Sequence, residues 1–156
     1  MKQITIRKAV KEDIETLLQF EQGVIHAERP FDSTLKDGAF RYYDLPQLIA
    51  ADDAALVVAE LDNTIVASGY ARIENSKLFH KHAQYAYLGF MYTLPQYRGR
   101  GINGMILEVL KNWSLSRHIT ELRLDVYFGN QPAIKAYEKM GFHKNLIEMR
   151  LGLGEK

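Results

Sequence analysis

Apolar positions along the chain recur with two periods, and the switches between them lay out its elements. Gln3 to Arg7 alternates as a short strand. Lys11 to Ala27 places Ile14, Leu17, Leu18, Val24 and Ile25 near helical spacing, with Glu12 and Asp13 suited to a helix N-terminus. Pro30 then interrupts the pattern. Residues 28–44 read as a long loop with scattered aromatics, and Leu45 to Ala51 as a short helix. Ala54 to Leu61 and Ile65 to Glu74 are apolar runs joined by Asp62-Asn63-Thr64, which signals a hairpin. Tyr85 to Thr93 is a further strand. Ile102, Met105, Ile106, Val109, Leu110 and Trp113 follow the spacing of a one-faced amphipathic helix. Leu122, Leu124 and Val126 alternate again. Pro132 suits the first turn of a helix running to Met140, and Gly141 supplies its stop. Phe142 to Leu153 is predicted to return to the sheet as one or two strands. The order is β-α-(α)-β-β-β-α-β-α-β.

Composition changes this picture little. The chain has 156 residues, 47% of them apolar and 25% charged, which suits one soluble globular domain spanning 1–156. A formal net charge of +1 argues against bulk nucleic-acid binding. The absence of cysteine excludes a disulfide framework, a thiolate zinc site and a cysteine nucleophile. No apolar run approaches the roughly 20 residues of a membrane span. The N-terminus lacks the apolar core of a signal peptide, so a cytoplasmic protein with no membrane partner is expected. Asn112-Trp113-Ser114 matches a glycosylation pattern but falls inside a predicted helix, and reads as chance.

Candidate chemistry concentrates in Gln96-Tyr97-Arg98-Gly99-Arg100-Gly101-Ile102-Asn103-Gly104, between a strand and a helix. Glycines let a backbone approach a ligand closely, and a helix's first turn offers unpaired N–H groups at a positive dipole end. Arg98 and Arg100 add charge. Alone, the stretch indicates a phosphate group. Solvated surface charge and a plain tight turn are the alternatives.

Two segments together resemble the GCN5-related N-acetyltransferase (GNAT) family. The first is Arg98-Gly99-Arg100-Gly101-Ile102-Asn103, similar to its Arg/Gln-x-x-Gly-x-Gly/Ala signature. The second runs from Leu124 and Val126 through Asn130, Ala133 and Tyr137 to Gly141-Phe142. Their order and separation also fit. Asn103 departs from the Gly/Ala of the last signature position, with Gly104 immediately after it.

The resemblance implies a mixed α+β fold: a mostly antiparallel twisted sheet of about six or seven strands flanked by about four helices, with a splayed strand pair. It implies acetyl-coenzyme A as donor, no metal, and an acceptor amine on a small molecule or peptide. A homodimer stays open. Arg98, Gly99, Arg100, Gly101, Ile102, Asn103 and Gly104 would hold the pyrophosphate. Backbone at Met91, Tyr92 and Thr93 would take the pantetheine arm much as an added strand, with Asn130 assisting. Asn130 also suits a helix N-cap, and the two roles are compatible.

Transfer of acetyl from a thioester to an amine requires loss of an amine proton, polarisation of the carbonyl and protonation of the leaving sulfur. By resemblance Tyr137 is the acid; its alternative is an aromatic packed on the helix face shared with Ala133 and Met140. The strand Tyr85-Ala86-Tyr87-Leu88-Gly89-Phe90 carries no acid, although many members have a glutamate there. Asp125 is the candidate base. It is equally readable as a strand acid paired with Arg123 or Arg7, and a water relay fed by Glu60, Tyr87 or Tyr127 is a further option. The loop over the acceptor offers Glu28, Arg29, Phe31 and Tyr42, with Asp32, Asp44 and Tyr43 alongside; a loop packed by its own aromatics accounts for the same residues. His80 and His82, with no third ligand near in sequence, read as surface residues. The missing strand carboxylate leaves one alternative of another class, a non-catalytic acyl-coenzyme A-binding domain.

Overall fold

The computed structural model describes residues 3–154. The chain divides into two compact units, residues 1–125 and 126–156.

The first unit is built on a sheet in the order β1-β2-β3-β4-β5. Its strands are β1 (Thr5–Lys8), β2 (Ala54–Leu61), β3 (Thr64–Asn75), β4 (Gln84–Thr93) and β5 (Leu122–Leu124). All neighbours pair antiparallel except β4 and β5, which run parallel over Ala86↔Leu122 to Leu88↔Leu124. The hairpin between β2 and β3 turns at Asp62 and Asn63, with φ of 52° and 61°. Two successive positive values match the twist of the flanking strands, and Asp and Asn tolerate them better than most residues.

Helices α1 (Ile14–Glu28) and α2 (Leu45–Ala50) pack on one face of the sheet. Leu17, Phe20, Val24, Leu45 and Leu48 meet Leu56, Val58, Tyr70 and Phe90 there in one buried cluster. Helix α3 (Ile102–Ser116) covers the other face and buries Ile102, Ile106, Leu107 and Leu110. Burial on both faces explains why β2 reads as an unbroken apolar run rather than an alternating one. Asp13, at the start of α1, is 6% exposed and accepts Arg7 Nη1 at 2.8 Å and the Val10 N–H at 2.8 Å. Arg7 also donates to Glu60 Oε2 at 2.9 Å, so one guanidinium joins β1, α1 and β2.

The second unit holds α4 (Gln131–Lys139). Asn130 caps it, its side chain accepting the Ala133 N–H at 3.3 Å, and Pro132 fills the first turn, where its missing N–H is harmless. Gly141, at φ 102°, ends it. The Gly141 N–H donates to Glu138 O at 3.0 Å and the Phe142 N–H to Tyr137 O at 3.1 Å. This pair of bonds is a Schellman motif.

The sheet is shorter than the sequence predicts. Residues 142–154 form no strand, and β5 ends at Leu124 rather than Val126. Ile147, Met149, Leu151 and Leu153 do alternate with Glu148, Arg150 and Gly152. A strand, however, needs a partner's backbone groups, which alternation alone does not supply. Sheet pairing is therefore five-stranded among the described residues.

Candidate active site

At its far end β4 changes character. Ser68 pairs with Tyr92 and Tyr70 with Gly89, so Phe90 and Met91 together oppose the single residue Gly69. Phe90 takes φ 55°, a left-handed conformation that disfavours a bulky residue by about 1–3 kcal/mol. Two contacts hold it. The buried Ser68 hydroxyl donates to Phe90 O at 2.9 Å, and the Phe90 ring lies 4.5 Å from that of Tyr43. A bulge of this kind turns backbone groups out of the ladder. Beyond Leu88 no strand among the described residues pairs with β4 on the β5 side. Met91, Tyr92 and Thr93 thus lie on a strand edge just past a bulge, where an extended ligand can add alongside.

The chain then passes through a single 3₁₀ turn, Pro95–Tyr97, into the glycine-arginine loop. Gly99 and Gly101 both have φ 78°, and a Cβ at either would meet nothing within 4 Å. Their backbone is the kind only glycine adopts freely, in front of open space. Gly101 is the N-cap of α3, and no side chain caps that end. The first bond of the helix is Met105 N–H to Gly101 O at 3.1 Å. The amides of Ile102, Asn103 and Gly104 precede it and lack intrahelical partners. Left-handed glycines followed by free helix-start amides form a concave nest for an anion. Arg98 ties the loop to β4, its Nε donating to Thr93 O at 2.9 Å and its guanidinium lying 5.6 Å from the Tyr92 ring. Arg100 is exposed, with its guanidinium 5.2 Å from the Tyr97 ring. These residues fit a pyrophosphate. Asn103 is half-buried, and Gly104 beside it has nothing within 4 Å of its Cβ direction.

Asp125 pairs with neither arginine. Arg123 bonds Glu121 at 2.7 Å, while Arg7 is held by Asp13 and Glu60. Asp125 Oδ2 instead accepts the Tyr87 hydroxyl at 3.0 Å. Burial, then the Asp125 charge, raise the Tyr87 pKa, so this phenol stays protonated and donates. Tyr70 is raised by burial as well, and Arg72 lies 5.6 Å and 6.0 Å from the Tyr70 and Tyr87 rings. Glu60 sits on β2 opposite Thr5, with β3 between it and β4. The structure therefore does not bring it to Tyr87.

The loop between α1 and α2 is packed by its own residues. Arg29 donates to Lys36 O at 2.8 Å and Gly38 O at 2.6 Å, and lies 5.3 Å from the Phe40 ring. The Tyr42 hydroxyl donates to Glu28 Oε1 at 2.7 Å. Burial raises the Glu28 pKa against the opposing effect of that bond. Phe31 is 39% exposed. Asp32 takes the Thr34 N–H at 3.0 Å and Asp44 caps α2 through the Gln47 N–H. His82 Nδ1 lies 3.6 Å from Glu121, and among the described residues no three potential ligands cluster as a metal site.

In the second unit, Tyr137 sits on α4 with its ring 5.8 Å from that of Phe142, edge on. This is the apolar contact that accompanies a Schellman motif. The Gly-Phe ending thereby orients the candidate acid.

Sequence reasoning missed Glu21, Ser68, Tyr70 and the Phe90 bulge. For the bulge a signal existed: a glycine inside a strand, Gly89, marks such irregularities.

Comparison with known proteins identifies the family. The model of the acetyltransferase (GNAT) family matches residues 13–142. An N-alpha-acetyltransferase of Saccharolobus solfataricus is 27% identical over 145 residues, 90% of this chain and 80% of that one. A predicted acetyltransferase of Clostridium acetobutylicum, solved with acetyl-CoA, superposes with a TM-score of 0.73 at 24% identity, covering 97% of both chains. Aminoglycoside 6'-N-acetyltransferase of Acinetobacter haemolyticus superposes with a TM-score of 0.74 at 17% identity, over 97% of this chain and 99% of that one. The chain belongs to the acetyltransferase (GNAT) family, and its activity is that of an acetyl-CoA-dependent N-acetyltransferase.

Proposed function

We propose that this enzyme acetylates the primary amine of a peptide or small molecule by direct attack on the thioester, as a single cytoplasmic domain spanning 1–156. The observation that carries the reading is the pair of left-handed glycines before the uncapped start of α3, directly after a bulged strand edge. Acetyl-coenzyme A supplies the activated acetyl group. Amides from Gly99 to Gly104 hold its pyrophosphate, with Arg98 and Arg100 nearby. Backbone of Met91, Tyr92 and Thr93 aligns the pantetheine arm and offers N–H groups to the carbonyl oxygen as it gains charge. Asn130 assists that arm while capping α4.

Asp125, held by the Tyr87 hydroxyl, accepts the proton lost by the amine, directly or through water. Tyr137 gives its phenolic proton to the leaving sulfur. Glu28, Arg29, Phe31 and Tyr42 form the acceptor side, where Glu28 favours a cation. The chemistry uses no metal, so EDTA leaves the rate unchanged. The N-alpha-acetyltransferase relatives support a peptide α-amine as the first acceptor to try.

Thiol release from acetyl-CoA, followed over a panel of peptides and amines, tests the reading. Tyr137→Phe is expected to lower kcat by about 100-fold with little change in the KM for acetyl-CoA. An unchanged kcat refutes the acid assignment. Tight acetyl-CoA binding with no turnover on any amine refutes the acceptor reading.

A further inference from the structure

Glu21 is a charged residue on the face of α1 that otherwise buries Leu17, Phe20 and Val24, and it is 0% exposed. A carboxylate survives such a place only when its charge and lone pairs are matched. Its Oε1 accepts Arg41 Nε at 2.7 Å, and its Oε2 accepts the consecutive backbone N–H groups of Tyr42 and Tyr43 at 2.8 and 2.7 Å. Arg41 donates again, to Tyr43 O at 3.2 Å. Three residues of irregular backbone are thus gripped by one side chain. An apolar residue at this position would pack as well in the core but leave both amides unpaired.

The gripped residues face the site on two sides. Tyr42, in the acceptor loop, reaches Glu28 at the end of α1. The Tyr43 ring lies 5.8 Å from that of Tyr70 and 4.5 Å from that of Phe90, the bulge residue immediately before Met91 to Thr93. One carboxylate therefore links the acceptor loop to the donor strand.

We propose that Glu21 is a positioning residue: through Arg41, Tyr42 and Tyr43 it sets the placement of the acceptor loop over the β4 bulge, touching neither substrate. The inference rests on the acceptor-loop reading given above. Reaction rates respond steeply to misplacement of the reacting groups, so its loss shows in acceptor kinetics before donor binding.

The test uses Glu21→Gln and Arg41→Gln in the full chain. Thiol release is assayed with a peptide bearing a free N-terminus and with kanamycin, and coenzyme A affinity by calorimetry. For whichever amine the wild type turns over, kcat/KM is expected to fall about tenfold or more in Glu21→Gln and about threefold or more in Arg41→Gln. Coenzyme A affinity stays within about twofold in both. Folded variants with unaltered acceptor kinetics overturn the inference, as does a parallel loss of coenzyme A affinity. Should Glu21→Gln fail to fold, Arg41→Gln decides alone, since its side chain is 53% exposed. A wild type that turns over neither amine overturns the acceptor reading and the inference with it; unaltered variants of an active wild type overturn the inference only.

Discussion

Replacing Gly101 with alanine separates the conformational demand of the glycine-arginine loop from its ligand chemistry. The residue has φ 78° and caps α3 without a side-chain bond, and a Cβ there meets nothing within 4 Å. The methyl group therefore causes no clash in the protein, and the penalty is that of left-handed backbone alone, about 1–2 kcal/mol. For a chain of this size that lowers Tm by roughly 2–8 °C. If the loop relaxes to negative φ, the amides behind it turn away from their common direction. Loss of one hydrogen bond to a charged phosphate is worth about 1.5–3 kcal/mol, so coenzyme A affinity falls roughly 10- to 150-fold. Calorimetric titration with coenzyme A and thermal unfolding measure the two effects. Gly38→Ala is the control, because Gly38 has φ 77° and equally open surroundings outside the nest. It is expected to lose comparable stability and no coenzyme A affinity. If both variants lose stability and both bind coenzyme A as tightly as the wild type, the loop is only a turn and the pyrophosphate assignment fails.

Further expectations concern the scaffold around the site. Ser68→Ala leaves the Phe90 carbonyl without the hydroxyl 2.9 Å away, and a urea titration should show about 1–3 kcal/mol lost; no loss would mean the bulge does not depend on it. The Asp13 pKa is lowered, chiefly by its bond to Arg7. Its contribution is accordingly full above the unfolded carboxylate value of about 3.9 and fades as pH falls through the lower folded value. The stability gap between wild type and Asp13→Asn should narrow below about pH 4, and a gap that widens on acidification contradicts this sign. Gly141→Ala, at φ 102°, should strain the end of α4 and disturb the Phe142 contact that orients Tyr137. A fall in kcat without a matching rise in the KM for acetyl-CoA is expected, and the reverse split would reject that role.

Much of the fold is legible because its signals are local. Alternation, apolar runs and helical spacing locate the strands of the sheet and helices α1 and α3, Pro132 and Gly141 bound α4, Asp62-Asn63 specifies its own turn, and Gly141-Phe142 closes α4 through bonds reaching only five residues back. The glycine-arginine loop was readable for the same reason: left-handed glycines before a helix start need no distant residue to make a nest. Phe142 to Leu153 carries an equally clear alternation, yet it forms no strand, since strand formation depends on a partner that local pattern cannot specify.

What the sequence by itself determined is thus the family and the glycine-arginine loop proposed to hold the donor, because that loop is written in contiguous backbone. The tertiary structure decided the rest. Asp125 has several plausible partners in the sequence, and only the parallel pairing of β5 with β4 sets it beside Tyr87 across 38 positions of chain. Glu21 looks like one more polar helix residue until Arg41, Tyr42 and Tyr43 fold back onto it. Asp125, Glu21 and the Phe90 bulge take their meaning from what lies across from them, and for each of these that is another part of the chain.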